Sequence, residues 1–307
     1  MSKLISVFGG TGQQGGAVVK ALLNDGFKVR TFTRNTESET AKKLKDCGVE
    51  VIKCDESKPK EEIEKALKDS YGVFLVTNSS GYPDKETEYG CKVADAALLS
   101  GVQHFVFSTL PDPRELSNGK YNDFIDFNSK VDIEKYIRNL SKQNSHFISS
   151  FVSAPMYFQN FKTYFPLQKH TDSKDGSTYY SLDLPGKPDL KLDHGDINDL
   201  GPLVSEQFKN PTKYSGQVIP LSAQELTGPE LTDTFTKVLG KKVVYNYVPS
   251  KEYAKSNVYV EAPYIAHLYD YFSENPYFGH FDNTISKKIL KLTTFEEFLK
   301  KSNFQLD

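Results

Sequence analysis

The chain has 307 residues, a net charge of −2 and 25% charged residues. This length suits an α/β domain with a smaller appended part. The near-neutral charge gives no indication of the clustered basic face that direct binding to nucleic acid needs. No apolar run approaches the roughly 18 residues that span a bilayer, and the first residues lack a signal-peptide pattern. We therefore expect no membrane association.

Cysteine and histidine usage gives no sign of a metal site. Cys47, Cys54 and Cys91 form no CxxC pair, and the six histidines are scattered. Neither a disulfide framework nor zinc ligation is expected, so we predict no bound metal. A reducing compartment follows, which indicates the cytoplasm, with the nucleus as a second location.

The first half alternates strand and helix patterns. Strand patterns lie at residues 4–8, 27–33, 49–54, 73–76, 103–108 and 146–152, and helical patterns at 17–23, 39–46, 61–68, 86–99 and 127–140. Six strands separated by helices predict right-handed βαβ crossovers. The expected fold class is α/β, a Rossmann-type doubly wound parallel sheet.

After residue 155 this alternation stops, and prolines, glycines and aromatic residues become frequent. Residues 195–208 and 216–221 are typical of one more helix and strand that return to the sheet. We predict a Rossmann domain at 1–153, joined by 193–223, and a smaller α+β domain at 154–192 and 224–307. The aromatic run at 264–281 indicates core packing of that domain, or else an apolar pocket.

A glycine-rich segment directly follows the first strand. It reads Gly9-Gly10-Thr11-Gly12-Gln13-Gln14-Gly15-Gly16 and opens the first helix. A strand-to-helix turn of this kind lets a pyrophosphate approach backbone N–H groups where no Cβ intrudes. The helix N-terminus then presents its unpaired donors to the phosphates. The segment predicts dinucleotide binding.

The residue after the second strand indicates which dinucleotide. NAD-binding folds usually place Asp or Glu there, whereas this chain has Arg34. A guanidinium pairs with a 2′-phosphate, so we predict NADP(H) in preference to NAD(H). Glu37 is a nearby carboxylate that argues the other way. Asp55, Thr77 and Asn78 follow the third and fourth strands, where they act as cofactor ligands or simply form turns.

The proton donor of conventional short-chain dehydrogenases is missing. That mechanism pairs a Tyr with a Lys four residues later. Lys130 is present, but Asp126 occupies the tyrosine position. Lys130 heads the apolar face of its helix, so we interpret it as a cofactor contact or as a lysine that extends to the surface.

The combined motifs resemble the NmrA-like branch of the atypical short-chain dehydrogenases, and within it the HSCARG-type NADPH sensors. The resemblance rests on the glycine segment and on Thr33-Arg34-Asn35, Val76-Thr77-Asn78, Phe127-Asn128-Ser129-Lys130, Met156-Tyr157-Phe158-Gln159-Asn160, Leu200-Gly201-Pro202 and Tyr214-Ser215-Gly216-Gln217. It spans nearly the whole chain.

The resemblance implies a role for each matched residue. Gly9, Gly10, Thr11, Gly12, Gln13 and Gln14 would hold the pyrophosphate, and Arg34 the 2′-phosphate. Thr77 and Asn78 would lie along the ribose. The nicotinamide would face Lys130, Tyr157, Phe158, Gln159 and Asn160.

The resemblance and the missing tyrosine predict an NADP(H)-responsive sensor or regulator that acts through a protein partner or a homodimer. Segment 161–188, rich in Pro and Gly, is the expected mobile element. The alternative is an NADPH-dependent reductase of a small carbonyl or quinone. Lys130 would then supply the proton if burial and neighbouring charges made its ammonium more acidic.

Overall fold

A computed structural model describes residues 2–306 of the chain. Its strands in chain order are β1 (Leu4–Val7), β2 (Lys28–Thr33), β3 (Glu50–Lys53), β4 (Gly72–Leu75), β5 (His104–Thr109), β6 (Ile148–Ser153), β7 (Met156–Tyr157), β8 (Gln168–Thr171), β9 (Thr178–Leu184), β10 (Leu192–Gly195), β11 (Val218–Pro220), β12 (Gln224–Leu226) and β13 (Val243–Tyr247).

The helices are α1 (Gln13–Asn24), α2 (Glu39–Asp46), α3 (Lys60–Ala66), α4 (Glu86–Leu99), α5 (Pro113–Leu116), α6 (Ile125–Gln143), α7 (Ile197–Lys209), α8 (Gly228–Leu239), α9 (Ser250–Tyr253), α10 (Ala262–Phe272), α11 (Ile285–Ile289) and α12 (Phe295–Lys301). A 3-10 helix covers Phe158–Lys162. Helices α8 and α12 each begin with a capping box, Thr227 with Glu230 and Thr294 with Glu297.

The central sheet has seven parallel strands in the order β11-β6-β5-β4-β1-β2-β3. The Rossmann-type fold class is confirmed, including the predicted return of α7 and β11. From β1 the chain adds β2 and β3 on one side of the sheet and then crosses to β4 on the other side. The order of the strands therefore reverses between β1 and β4, and such folds bind ligands in the crevice at this reversal point.

Apolar helices cover both faces of this sheet. One core combines strand residues with Val93 of α4 and Ile133 of α6, and the other with Val18 of α1 and Leu200 of α7, all four fully buried. The sheet is therefore shielded on both sides, which is why its strands read as continuous apolar runs.

The second half adds two three-stranded sheets, β12-β10-β7 and β13-β9-β8, around an aromatic core. Most aromatic side chains of α10 are buried in that core, so core packing was the correct interpretation of this run. The expectation of a mobile segment 161–188 is wrong for residues 178–184. They form β9, the middle strand of its sheet, and bury Tyr180, Leu182 and Leu184.

Candidate functional site

A cleft of about 620 Å³ lies at the carboxyl edge of the sheet, around the reversal point. Its walls come from the segments after β1, β2, β3 and β4, and from the chain that follows β6. They comprise Gly9, Thr11, Gly12, Gln13, Gln14, Gly15, Phe32, Thr33, Arg34, Asp55, Glu56, Val76, Thr77, Asn78, Tyr82, Tyr157, Asn160, Tyr164 and Ile197. The cleft brings together eleven of the fifteen predicted site residues; Gly10, Lys130, Phe158 and Gln159 lie outside it.

The glycine turn is fixed by close backbone approaches. Gly9 has φ = +74°, a conformation that L side chains rarely adopt. A Cβ on Gly15 would lie 2.2 Å from the carbonyl oxygen of Gly9. A Cβ on Gly10 would lie 2.1 Å from Oγ1 of Thr31, so Gly10 is needed for packing against β2 rather than as part of the cleft wall.

Helix α1 begins at the cleft without a side-chain cap. Its N-cap is Gly12, and its first turn carries no acidic residue. Gln13, Gln14 and Gly15 line the cleft at this end. Unpaired N–H groups and the positive end of the helix dipole therefore face a space that no Cβ fills. This is the cradle that a pyrophosphate requires.

The side chain of Gln14, in this turn, is hydrogen-bonded to a residue at the end of β5. The Ser108 hydroxyl, at the end of β5, donates to Oε1 of Gln14 at 2.8 Å. The Gln14 amide is thereby oriented with its oxygen toward Ser108. Its N–H donors are left for another acceptor.

Arg34 and Asp55 also line the cleft and bring a guanidinium and a carboxylate to it. Arg34 is exposed and forms no ion pair within residues 2–306. The Asp55 carboxylate is occupied by its own loop, since Oδ1 accepts from the backbone N of Ser57 at 2.8 Å and also from the Ser57 hydroxyl. Glu37 lies outside the cleft and pairs with Lys45 at 3.4 Å. Arg34 is thus available for an anion.

Behind Thr77 lies a buried ion pair that the sequence did not reveal. The Thr77 hydroxyl donates to Oε1 of Glu86 at 2.5 Å, and Nζ of Lys130 contacts the same oxygen at 2.5 Å. The Ser129 hydroxyl donates to Oε2. The Glu86 side chain is fully buried. Lys130 is therefore bound to the Glu86 carboxylate one side chain behind the cleft wall.

Two predicted residues of the 157–160 stretch face the cleft and two do not. Tyr157 and Asn160 line it. Phe158 is fully buried, with its ring 4.9 Å from that of Phe295. Gln159 binds the start of α7, donating to Asp196 at 2.7 Å. The placement of Phe158 and Gln159 thus departs from the one that the resemblance implied.

The Tyr157 hydroxyl is buried and has no hydrogen-bond partner among the described residues. Burial raises the pKa of the Tyr157 phenol far above its ordinary value. A phenol in this state is a poor proton donor.

Asp126, which occupies the tyrosine position, is bound by the second half of the chain. The Tyr264 hydroxyl lies 2.7 and 2.8 Å from the two carboxylate oxygens of Asp126. Burial, followed by the charge of Asp126, raises the pKa of Tyr264. This contact joins the start of α6 to α10 and does not line the cleft.

A second cleft of about 620 Å³ lies beside the 3-10 helix and the C-terminal residues. It is lined by Phe161, Lys162, Pro166, Leu167, Lys169, Tyr180, Phe304, Gln305 and Leu306 and contains none of the predicted site residues. Across residues 2–306, no group of three or more acidic, histidine or cysteine side chains could hold a metal ion. In that same part of the chain, no helix is long and apolar enough to cross a membrane.

Sequence reasoning missed several residues that shape this site. Glu56, Tyr82, Tyr164 and Ile197 line the cleft, and Glu86 stands behind it. Glu86 opens a helix after a strand, but acidic residues are common in first helical turns, so its position was not a specific signal.

Comparison with known proteins agrees with this arrangement. Residues 1–299 match the NmrA-like family. An NmrA-like family domain-containing protein of Dictyostelium discoideum is 52% identical over 308 residues, with all of both chains covered. An NmrA-like family domain-containing oxidoreductase of Aspergillus hancockii is 34% identical, over 82% of this chain and 77% of that protein.

Among solved structures, NmrA, a negative transcriptional regulator in complex with NADP, has a TM-score of 0.82 at 23% identity, covering 98% of this chain and 95% of that one. The same regulator also has a structure with NAD, with the same score and coverage. Those likenesses concern the fold, and the sequence matches above settle the family. The chain belongs to the NmrA-like family.

Proposed function

We propose that the chain binds NADP(H) in the cleft at the reversal point and acts as a redox sensor or regulator of the HSCARG type. Binding would change its conformation or its partner, either a regulatory protein or a second copy of the chain. One observation carries the proposal: the uncapped start of α1 and the unpaired Arg34 open into the same cleft.

The chain's own groups would hold the cofactor in sections. The first-turn N–H groups of α1 bind the pyrophosphate, and Arg34 forms a fork with the 2′-phosphate. Thr77 and Asn78 lie along the ribose, while Tyr157 and Asn160 face the nicotinamide. NADPH supplies a hydride when bound, and NADP accepts one.

The surroundings of Asp126 and Lys130 favour a sensor over an enzyme. The Tyr264 hydroxyl binds the Asp126 carboxylate, and the buried carboxylate of Glu86 binds the Lys130 side chain. Tyr157, which lines the cleft, has a phenol whose pKa is raised by burial. None of these three groups, Asp126, Lys130 and Tyr157, is therefore well suited to deliver the proton that completes reduction of a carbonyl.

Both halves of the chain contribute to the cleft, which offers a route from binding to response. We propose residues 1–153 with 193–223 as the NADP-binding domain, and 154–192 with 224–307 as the part that contacts a partner. Tyr157, Asn160 and Tyr164 from the second part line the same cleft as the glycine turn. A cofactor that contacts both sides binds two arrangements unequally, and this is sufficient to shift their populations. The proposed location is the cytoplasm or the nucleus.

Limited proteolysis and sedimentation, each with and without NADPH or NADP, test the sensor proposal. We expect one cofactor to protect the segments around the cleft, or to change the molecular mass, in the wild-type protein but not in Arg34→Glu. Unchanged cleavage and unchanged mass under saturating cofactor would overturn the proposal.

A second candidate is an NADPH-dependent reductase of a small carbonyl or quinone. Relatives named as oxidoreductases, such as the A. hancockii protein, favour it, as does the position of Lys130 directly behind Thr77. Substrate-dependent oxidation of NADPH that Lys130→Ala abolishes would support it. Lys135→Ala is the matched control, because Lys135 is an exposed lysine of the same helix. Absence of turnover on a broad carbonyl and quinone panel would refute it.

A further inference from the structure

A carboxylate that the mechanism above does not use stands in the same cleft as Arg34. Glu56, in the loop after β3, is half-buried and lines the cleft. Its side chain forms no ion pair within residues 2–306. Asp55 is instead bound by Ser57, and Glu37 faces solvent beside Lys45. Of these three carboxylates, Glu56 alone lines the cleft without a hydrogen bond or ion pair to another residue among 2–306, its carboxylate accepting from its own backbone N–H.

The charges around Glu56 come from three segments. Asp55 shares its loop, Arg34 follows β2, and Glu86 and Lys92 belong to α4. Lys92 is directed to the loop itself, since its Nζ donates to the Ser57 carbonyl at 3.2 Å. Burial, with smaller contributions from the neighbouring carboxylates, raises the pKa of Glu56, and Arg34 opposes this rise.

We propose that Glu56 sets the discrimination between NADP and NAD by opposing Arg34 at the 2′ position. As a carboxylate it repels a 2′-phosphate and can accept a hydrogen bond from the 2′-hydroxyl of NAD. Arg34 has the reverse effect. The chain's preference for the phosphorylated cofactor is then the difference between two opposed charges. This inference rests on the proposed function, because it assigns a role within the same site.

Calorimetric titration of NADP and NAD into wild type, Glu56→Gln and Glu37→Gln tests the inference. Glu37→Gln is the matched control, a carboxylate three residues after Arg34 that lies outside the cleft. At pH 8 we expect Glu56→Gln to raise the ratio of NADP affinity to NAD affinity about fivefold to tenfold. Glu37→Gln should leave this ratio within about twofold. Thermal melting of each variant without cofactor checks that the fold is intact.

The pH dependence gives a second readout. Protonated Glu56 carries no charge, as in Glu56→Gln, so the advantage of the variant over wild type should shrink as the pH falls below 8 toward the raised pKa of Glu56. The 2′-phosphate also titrates in this range, near pH 6, but it does so equally in both proteins. Comparing the two proteins at each pH therefore isolates Glu56.

The possible failures are distinguishable. If the wild-type protein binds both nucleotides and Glu56→Gln leaves their affinity ratio unchanged at pH 8, this inference is overturned while the proposed function stands. If the wild-type protein binds neither nucleotide, the proposed function is overturned, and the role of Glu56 with it.

Discussion

Two adjacent glycines of α1 should respond in opposite ways to alanine. A Cβ on Gly15 would stand 2.2 Å from the Gly9 carbonyl oxygen and 2.4 Å from its carbon, whereas the nearest atom to a Cβ on Gly16 is the Gly10 oxygen at 3.5 Å. The first contact is a severe overlap with backbone, and the second is ordinary packing. Both substitutions replace a helical glycine by alanine, so the difference between the two variants measures the steric overlap at Gly15 apart from helix propensity.

The magnitudes follow from these contacts. Overpacking against backbone costs about 3 kcal/mol, and alanine in a helix returns about 1 kcal/mol. Gly15→Ala should therefore lower the free energy of unfolding by about 2 kcal/mol and the Tm by roughly 4–8 °C. Gly16→Ala should raise the Tm by up to about 3 °C.

Differential scanning calorimetry measures both melting temperatures, and titration with NADPH measures both affinities. We expect Gly15→Ala to weaken NADPH binding at least about tenfold, a loss of about 1.4 kcal/mol, because the turn must open to fit the methyl group. If the two variants melt within about 1 °C of each other and bind NADPH alike, the close approach at Gly15 is not what shapes the site.

Three further changes test the packing and the buried charges. Glu86→Gln leaves the ammonium of Lys130 without its carboxylate and should cost roughly 3 kcal/mol in urea unfolding; the double variant with Lys130→Met should recover at least about 1 kcal/mol, and no recovery would contradict the pairing. Burial lowers the pKa of His104 to about 3, against 6.5 for an ordinary histidine. The unfolded chain therefore binds a proton that the native ring refuses, and stability falls as the pH drops below about 6.5. His104→Gln should flatten this slope by up to about 1.4 kcal/mol per pH unit between pH 6 and 4.5, and an unchanged slope would refute the assignment. Finally, a Cβ on Gly201 would lie 2.1 Å from the Ala17 carbonyl oxygen, so Gly201→Ala should separate α7 from α1 and lower the Tm by several degrees; a wild-type Tm would show that this contact gives way freely.

The central sheet was predictable because its signals are local. Apolar runs of strand length, alternating with helical periods, identified six strands, and the glycine turn followed the first of them. The return of α7 and β11 was visible for the same reason. Arg34 was located by its distance from that turn.

The interior of the site was less predictable. The resemblance treated residues 157–160 as one cofactor-facing stretch, but residues 158–162 form a 3-10 helix. With three residues per turn, Tyr157 and Asn160 share one face, while Phe158 turns to the aromatic core. The three-residue period of the 3-10 helix, rather than the residue type, decides which of these side chains reach the cleft.

Buried charge was hidden for a different reason. In the sequence, Glu56 belongs to a polar loop and Glu86 to the first turn of a helix, where acidic residues are common. Only the packing of α6, which follows β5, against α4 places Ser129 and Lys130 beside Glu86. In the second half of the chain, burial was hidden as well. The buried strand β9 lies within segment 161–188, which its Pro and Gly residues had led us to predict as mobile.

Calorimetric titration of wild type and Arg34→Glu with NADPH, NADP, NADH and NAD tests the central claim most directly. The account predicts that the two phosphorylated nucleotides bind the wild-type protein at least tenfold tighter, a difference of about 1.4 kcal/mol, and that Arg34→Glu abolishes this preference while still binding NADH or NAD. Equal affinity for all four nucleotides in both proteins, or no binding of any of them, would contradict it.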